Sequence, residues 1–227
     1  MLASGSYALD LQSTLIGKTN NFLDNFTGDL SESLLNNDRI KHLELNVEVQ
    51  DHLEPTFSLT NVNKISEDSS SAFFNQNTAS FHNDDQTLNL GLGYRQLINE
   101  DRILMGVNIF LDYSFDDAHQ RNGIGVEAIS SVFDIRGNYY DATSGIQDIS
   151  AGKSEEAMDG FDVRLDYHLP FNNNARVFTS LFDFENGAGS FGVKGEKYGL
   201  SILTSNLDLE IGYVDDNRTG DGRFANV

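Results

Sequence analysis

The chain has 227 residues, no cysteine and a formal net charge of −20, with 15 Lys and Arg against 35 Asp and Glu. The missing cysteines exclude disulfides and thiolate chemistry, and the scattered cationic residues disfavour nucleic acid, because phosphate recognition needs a cationic surface. A composition with 20 Gly, 16 Phe, 8 Tyr and only 2 Pro favours a single all-β domain over a helical bundle.

The N-terminal segment, residues 1–36, has a helical rather than an extended pattern. Its first eight residues lack a basic stretch followed by an apolar core, so we expect no intact signal peptide there. Further along, apolar residues recur at spacings of seven or four in an acidic background: Leu15, Phe22, Phe26, Leu30 and Leu34. This spacing predicts a short amphipathic helix before the first strand.

From Arg39 onward the apolar period changes to two, which is the period of a β-strand. The segment from Phe161 to Leu169 shows it best, because large apolar residues alternate strictly with Asp, Arg and His. The same alternation predicts strands near 43–49, 88–95, 105–113, 124–128 and 207–213. Weaker alternation predicts strands at 54–65, 71–82, 132–142, 175–186 and 194–205, with a twelfth beginning at Gly222.

The connections between these strands alternate in length. Those at 97–102, 131–132, 170–174 and 205–206 are short, whereas those at 115–121, 143–158, 186–193 and 214–222 are longer and rich in Asp, Gly, Asn and Ser. An antiparallel up-and-down barrel places all short turns at one rim and all long loops at the other. A soluble sandwich with Greek-key connections has no reason to keep this order.

The polar face of the strands carries both charge signs and many glycines, a mixture suited to a hydrated lumen. In a soluble barrel the apolar face would have to fill the interior, and about eleven strands enclose more space than these side chains fill. We therefore predict a transmembrane β-barrel with apolar residues outside. Its lumen-facing charge network would contain Arg95, Asp112, Glu127, Asp134, Arg136, Asp162, Arg164 and Asp166. An outer aromatic girdle would contain Tyr94, Tyr113, Tyr167 and Tyr213.

Residue patterns typical of catalysis or cofactor binding are missing from the sequence. The five histidines do not have the spacing of metal ligands: His42, His52, His82, His119 and His168. Residues 215–221 resemble the start of a calcium loop, but Asn226 stands where the bidentate Glu belongs. We expect no metal, no cofactor and no enzymatic activity.

Four motifs in order resemble the β-domain of the intimin/invasin inverse autotransporters. They are TLNLGLGYR at 87–95, GVNIFLDY at 106–113, RNGIGVE at 121–127, and DGFDVR at 159–164 followed by Leu169 and Pro170. The resemblance extends over about residues 22–226. It implies a 12-stranded barrel at 39–227 in the outer membrane of a Gram-negative bacterium, with residues 1–36 in the periplasm.

Membership would also imply a function and partners. The barrel would anchor and export a C-terminal adhesin, whose linker runs back through the lumen, after insertion into lipid by the barrel-assembly machinery. The charge network would then either rigidify the wall or guide the linker. Because the sequence stops at Val227, near the start of the expected last strand, we expect a fragment. An open barrel with two unpaired edges would leave backbone groups unsatisfied in lipid, so the sequence as given leaves closure open. A small stand-alone porin and a soluble, acidic, glycan-binding β-sandwich are the alternatives.

Overall fold

The computed structural model describes residues 40–83, 85–100, 102–150, 153–172, 174–187, 189, 191–204 and 207–227. The predicted N-terminal helix lies outside these residues. Residues 41–227 form one compact unit, which is all-β. Among the described residues there is no helix that is long and apolar enough to cross a membrane.

Fourteen strands follow one another along the described chain, and most of them coincide with the predicted segments. Their bounds are β1 Ile40–Gln50, β2 Thr56–Glu67, β3 Ser71–His82, β4 Asp85–Ile98, β5 Ile103–Ser114, β6 Gln120–Ser130, β7 Phe133–Ala142, β8 Gln147–Ser150, β9 Lys153–Glu155, β10 Met158–His168, β11 Ala175–Asn186, β12 Gly192–Leu203, β13 Asp208–Asp216 and β14 Gly220–Asn226. The strongly alternating strands are longer than predicted, because the polar residues at their ends still pair with a neighbour, whereas the weakly alternating strands have nearly the predicted length.

Twelve of these strands form a closed antiparallel barrel in the order β1-β14-β13-β12-β11-β10-β7-β6-β5-β4-β3-β2. Each strand lies beside its neighbours in the chain, apart from the step from β7 to β10 and the closing pair of β1 and β14. This is the predicted up-and-down barrel, and it is a single closed sheet rather than a sandwich.

The remaining two strands, β8 and β9, form a separate hairpin between β7 and β10. We predicted a long connection at 143–158, and the hairpin within it was not predicted. The hairpin has strands of only four and three residues. Such short strands show too few alternations to be recognised in a sequence.

The connections divide between the two rims as predicted. We call the rim with turns 68–70, 99–102, 131–132, 169–174 and 204–207 the turn rim, and the rim with 51–55, 83–84, 115–119, 143–157, 187–191 and 217–219 the loop rim. The contrast in length is weaker than predicted, since the connection expected at 214–222 is only the turn 217–219. Asp216 holds this turn by accepting the backbone N–H groups of Arg218 (2.7 Å) and Thr219 (2.6 Å).

On the turn rim, Asp68 holds the turn between β2 and β3 in a similar way. Its carboxylate accepts the backbone N–H groups of Ser70 and Ser71 at 2.8 and 2.7 Å, and the Ser71 hydroxyl at 2.8 Å. These hydrogen bonds, the one from the Ser70 backbone foremost, lower the pKa of the Asp68 carboxyl below its usual value. The turn therefore depends on an ionised carboxylate.

Closure of the barrel, which the sequence left open, depends on β14. With seven residues β14 is shorter than the other barrel strands, yet it pairs with β1 through Val49 and Ala225 and the residues beside them. Val47 and Val227 exchange two backbone hydrogen bonds of 2.7 and 3.0 Å beyond these pairs. Seven residues are enough because they bring backbone donors and acceptors to both neighbouring strands.

The outer face of the barrel is a band of exposed apolar side chains. It includes Leu90, Leu92, Val107, Ile109, Ile124, Val126, Phe161, Val163, Leu165, Leu200 and Ile211, each between 38% and 59% exposed. The best buried apolar side chains, Phe178, Val214 and Phe224, point inward and form a cluster. So large an exposed apolar surface on a closed barrel is characteristic of a lipid-facing wall.

Four asparagines on β2 and β3 interrupt this band. Asn61 pairs with Asn77 and Asn63 with Asn75, and on β4 the next neighbours of Asn77 and Asn75 are Leu90 and Leu92. The amide of Asn61 bonds those of Asn63 and Asn77 at 3.0 to 3.1 Å. This mutual bonding offsets part of the cost of polar groups on an apolar wall.

Candidate functional site

Two carboxylates, Asp134 on β7 and Asp166 on β10, lie at the centre of the charged interior. They face each other in the sheet and are 0% and 1% exposed. Arg136 neutralises both, with its Nη2 3.3 Å from Asp134 Oδ2 and its Nη1 3.4 Å from Asp166 Oδ2. Without such a cation, two opposed carboxylates would repel each other.

Further ion pairs extend this arrangement across the wall. Asp166 binds Arg164 at 2.7 Å, and Arg164 reaches past β11 and β12 to Glu210 at 2.5 Å. On the other side Arg136 approaches Glu127 at 3.7 Å, and Glu127 binds Arg95 at 2.5 Å.

Asp134 has two more partners. Arg176 Nη1 lies 3.0 Å from its Oδ2. His168 Nε2 lies 3.2 Å from its Oδ1, in an orientation that does not complete a hydrogen bond. We call the whole set the charge belt: Arg95, Glu127, Asp134, Arg136, Arg164, Asp166, His168, Arg176 and Glu210.

The charge belt contains four guanidinium groups and four carboxylates, so it is close to neutral within a strongly acidic chain. It lies toward the turn rim, because Asp134 follows the turn 131–132 and Arg176 follows the turn 169–174.

Six of the eight residues predicted for the charge network lie in the belt. Asp112 and Asp162 lie apart from it: Asp112 binds Arg121 at 3.0 Å, and Asp162 accepts hydrogen bonds from Tyr140 (2.7 Å) and Asn138 (3.0 Å). The prediction missed Arg121, His168, Arg176 and Glu210, together with the pair of Lys197 and Glu48 at 2.7 Å. All six sit on the polar face of an alternating strand, so the period of two was the signal that could have found them.

Above the belt, toward the loop rim, the interior holds a cavity of about 300 Å³. Amide, hydroxyl and aromatic side chains line it: Gln76, Thr78, Asn89, Asn108 and Asn138, with Phe74, Phe110 and Tyr140. Cations lie over these rings, for Arg95 is 4.9 Å from the Phe74 centroid and Arg121 is 4.9 Å from the Tyr140 centroid. The described residues that line the cavity offer hydrogen bonds and stacking, and none of them pairs a nucleophile with a base.

Gly93 keeps the wall of this cavity flat. The Phe74 ring lies over Gly93, so a Cβ at this position would meet three of its ring carbons. In the same way, the Phe110 ring lies over Gly123, and a Cβ at Gly123 would meet three of its ring carbons. The glycines of the predicted β4 and β6 motifs therefore let aromatic rings lie against the wall.

We expect Gly93→Val to lower the free energy of unfolding by about 1–3 kcal/mol, because the Phe74 ring must leave its place. Urea titration of the refolded barrel in detergent measures this change. Gly145→Val is the matched control, since a Cβ at Gly145 meets nothing within 4 Å. Equal stability of the two variants would contradict the role assigned to Gly93.

Comparison with known protein families shows which family this chain is related to. Residues 5–219 match the model of the inverse autotransporter β-domain. The chain belongs to this family. The resemblance seen in the four sequence motifs is thereby confirmed, and the inverse autotransporter β-domain is an outer-membrane barrel rather than a member of a known enzyme family.

Individual relatives agree with the family assignment. Intimin of Escherichia coli O127:H6 is 28% identical over 148 residues, which cover 58% of this chain and 15% of intimin. The chain thus spans only a small part of the length of its curated relatives. A barrel solved in a study of in-meso crystallization of membrane proteins has a TM-score of 0.70 at 22% identity, covering 82% of this chain and 81% of that one. The KdgM porin has a TM-score of 0.56 at 10% identity, covering 81% and 95%.

The inverse autotransporter β-domain lies in the outer membrane, so the apolar band of this chain faces lipid. Three of the tyrosines predicted for a girdle are exposed on the outer face: Tyr94, Tyr167 and Tyr213. Tyr113 is half-buried and packs edge-on against Phe115 at 5.2 Å. Tyr94 and Tyr167 stand nearer the turn rim, whereas Tyr113 and Tyr213 stand nearer the loop rim.

Proposed function

We propose that this barrel is the membrane anchor and translocator domain of an inverse autotransporter, which exports and displays a C-terminal adhesin for cell adhesion. The observation that carries the proposal is a closed 12-stranded barrel of this family with a polar interior cavity. The amide and hydroxyl side chains that line the cavity can form hydrogen bonds with each residue of an unfolded linker, in place of the hydrogen bonds to water that the linker loses there. The wall does no chemistry, and export depends on its geometry.

The direction of the last strand supports a route through the lumen. β14 runs from the loop rim to the turn rim, where its end pairs with β1. A linker that continues from there has to return through the barrel to reach the loop rim. On this proposal the loop rim faces outside and the turn rim faces the periplasm.

We propose that the charge belt stabilises the barrel wall and does not bind the linker as it passes through the lumen. Asp134 and Asp166 are almost inaccessible, so a passing chain cannot contact their carboxylates. Each of the four arginines already has a carboxylate partner within 3.4 Å. A neutral, internally paired belt stiffens the turn-rim end and leaves the linker without strong charges to bind.

The outer surface supports the proposed partners of the barrel. The apolar band contacts lipid, and the four tyrosines near the two rims would occupy the membrane interfaces. We propose that the barrel-assembly machinery inserts the strands, because a barrel with its edges open exposes unpaired backbone groups to lipid.

A display experiment tests export. The chain is produced with a signal peptide and with a linker and epitope fused after Val227, and intact cells are stained with an antibody to the epitope. We expect surface staining that external protease removes. Heat-dependent migration on gels shows that the barrel is folded. A folded barrel with an epitope that only permeabilised cells expose would contradict the proposal.

A small porin is the second candidate, and the likeness to the KdgM porin favours it at the level of fold. The test is the conductance of the refolded chain in planar bilayers without any fused linker. A steady open channel combined with failure of display would support the porin. Display with a closed or rarely open channel would support the translocator.

A further inference from the structure

Three side chains that the export proposal does not use converge at the loop rim. Asp117 and His119 lie in the connection between β5 and β6, and Glu155 ends β9 of the separate hairpin. One ligand atom from each lies within 4.8 Å of the other two. We propose that these three residues bind a divalent transition-metal ion of the Zn²⁺ type, which fastens the β8–β9 hairpin to the β5–β6 loop.

The backbone of the β5–β6 loop brings two of the ligands to the same side. Ala118 has a φ of 51°, a left-handed conformation that bends the chain between Asp117 and His119. Asp116 accepts the backbone N–H of Gln86 at 2.7 Å, and Ser114 donates its N–H to the His119 carbonyl at 2.9 Å. The loop is therefore held at both ends.

His119 is oriented as a ligand. Its Nδ1 lies 3.3 Å from Ser144 Oγ, and that oxygen also accepts the Gln120 N–H at 3.0 Å. When the Ser144 hydroxyl donates to the Gln120 carbonyl at 3.5 Å, Nδ1 can donate to Ser144 Oγ, and this tautomer leaves the lone pair on Nε2 for a metal ion. Fixing one ring nitrogen of a histidine so that the other can bind metal is the usual arrangement in metal sites.

The Nε2 atom of His119 is the independent observation behind the proposal. It is buried and has no hydrogen-bond partner among the described residues. A buried polar atom without a partner costs free energy unless something binds it. A metal ion between the three side chains supplies that partner.

The two carboxylates are open to a cation, because Asp117 is half-buried and Glu155 is exposed. Within the described part of the chain, neither Asp117 nor Glu155 makes an ion pair, so their charges are not balanced by Lys or Arg. One imidazole and two carboxylates suit Zn²⁺ and its neighbours better than Ca²⁺, which prefers oxygen ligands throughout. Three protein ligands leave a fourth position for water. Glu155 is exposed, so its side chain can close the remaining distance.

The site would control the mouth of the barrel. His119 also lines a cavity of about 360 Å³ beneath the loop rim, together with Arg121, Glu156 and Met158. An ion bound by His119 and Glu155 would hold the hairpin beside this cavity. The proposal therefore assigns the metal a structural role at the outer opening.

Zinc binding to the full chain, refolded in detergent without a polyhistidine tag, tests the proposal. We expect one Zn²⁺ per chain by calorimetric titration. Hydrogen exchange of peptides from 143–157 should slow when Zn²⁺ is added. His119→Ala and Glu155→Gln should each weaken binding by more than about tenfold and abolish the slowing.

Two controls keep the result specific. Glu156→Gln changes the neighbouring carboxylate, and His42→Ala changes an exposed histidine that pairs with Glu44 at 2.9 Å. Both should bind Zn²⁺ like the parent chain. The proposal is overturned if the parent chain does not bind Zn²⁺, or if His119→Ala and Glu155→Gln bind it with parental affinity while remaining folded by heat-dependent gel migration.

Discussion

Asp134→Asn is expected to lower the free energy of unfolding of the barrel by about 3 kcal/mol, because it leaves buried cations without their counter-charge. Arg176 loses the carboxylate that lies 3.0 Å from it, and Arg176 is only 22% exposed. Arg136 keeps Asp166 and Glu127, so it loses less. Asparagine has nearly the shape of aspartate, which restricts the change to charge and hydrogen bonding. Urea titration in detergent micelles, followed by intrinsic tyrosine fluorescence, measures the difference.

The matched control is Glu100→Gln at the turn rim. Glu100 also pairs with an arginine, Arg102 at 3.7 Å, but the two side chains are 86% and 74% exposed. Water screens such a pair, so its loss should change the unfolding free energy by close to zero. If both variants lost the same stability, or if Asp134→Asn lost none, the belt would not stiffen the wall.

The alternation of side chains made most of the fold predictable. Between Phe161 and Leu169 it predicted which side chains point outward, and β10 confirms it: Asp166 is buried inside and Tyr167 is exposed outside. A period of two is imposed by backbone geometry alone, so it can be seen in a single sequence. Closure was not predictable in this way, because it depends on hydrogen bonds between β1 and β14, which are separated by almost the whole chain.

The partners within the interior were only partly predictable, for a related reason. The period of two places Arg164 and Glu210 on the polar face of their strands. Whether the two side chains lie at the same level along the barrel axis, and so can pair, depends on the stagger between the strands. The histidine spacing predicted no metal, and the closeness of His119 to Glu155, on which the proposed site rests, arises between the short hairpin β8–β9 and another loop. Ligands contributed by separate loops leave no local pattern in the sequence.

The second large effect concerns the route of the linker through the lumen. This route predicts that a photoreactive probe facing the cavity crosslinks to the linker and that a probe on the outer wall beside it does not. A photoreactive amino acid is placed at Gln76, which faces the cavity, or at Leu92, which is 43% exposed on the outer wall. Gln76 pairs with Gly91, the residue before Leu92, so the two probes stand at nearly the same height in the barrel. Both probes are introduced into the fusion protein that carries the linker and the epitope.

We expect irradiation of cells to join the probe at position 76 to the linker or epitope segment, and the probe at position 92 to lipid or to other membrane proteins. The difference follows from closure, because the hydrogen-bonded sheet from β3 through β4 leaves no gap through which a chain could pass from one probe to the other. Protease cleavage between barrel and linker before electrophoresis distinguishes a crosslink from an uncleaved fusion. Surface display without any linker adduct at position 76 would place the route outside the lumen, even if the barrel remained a good anchor.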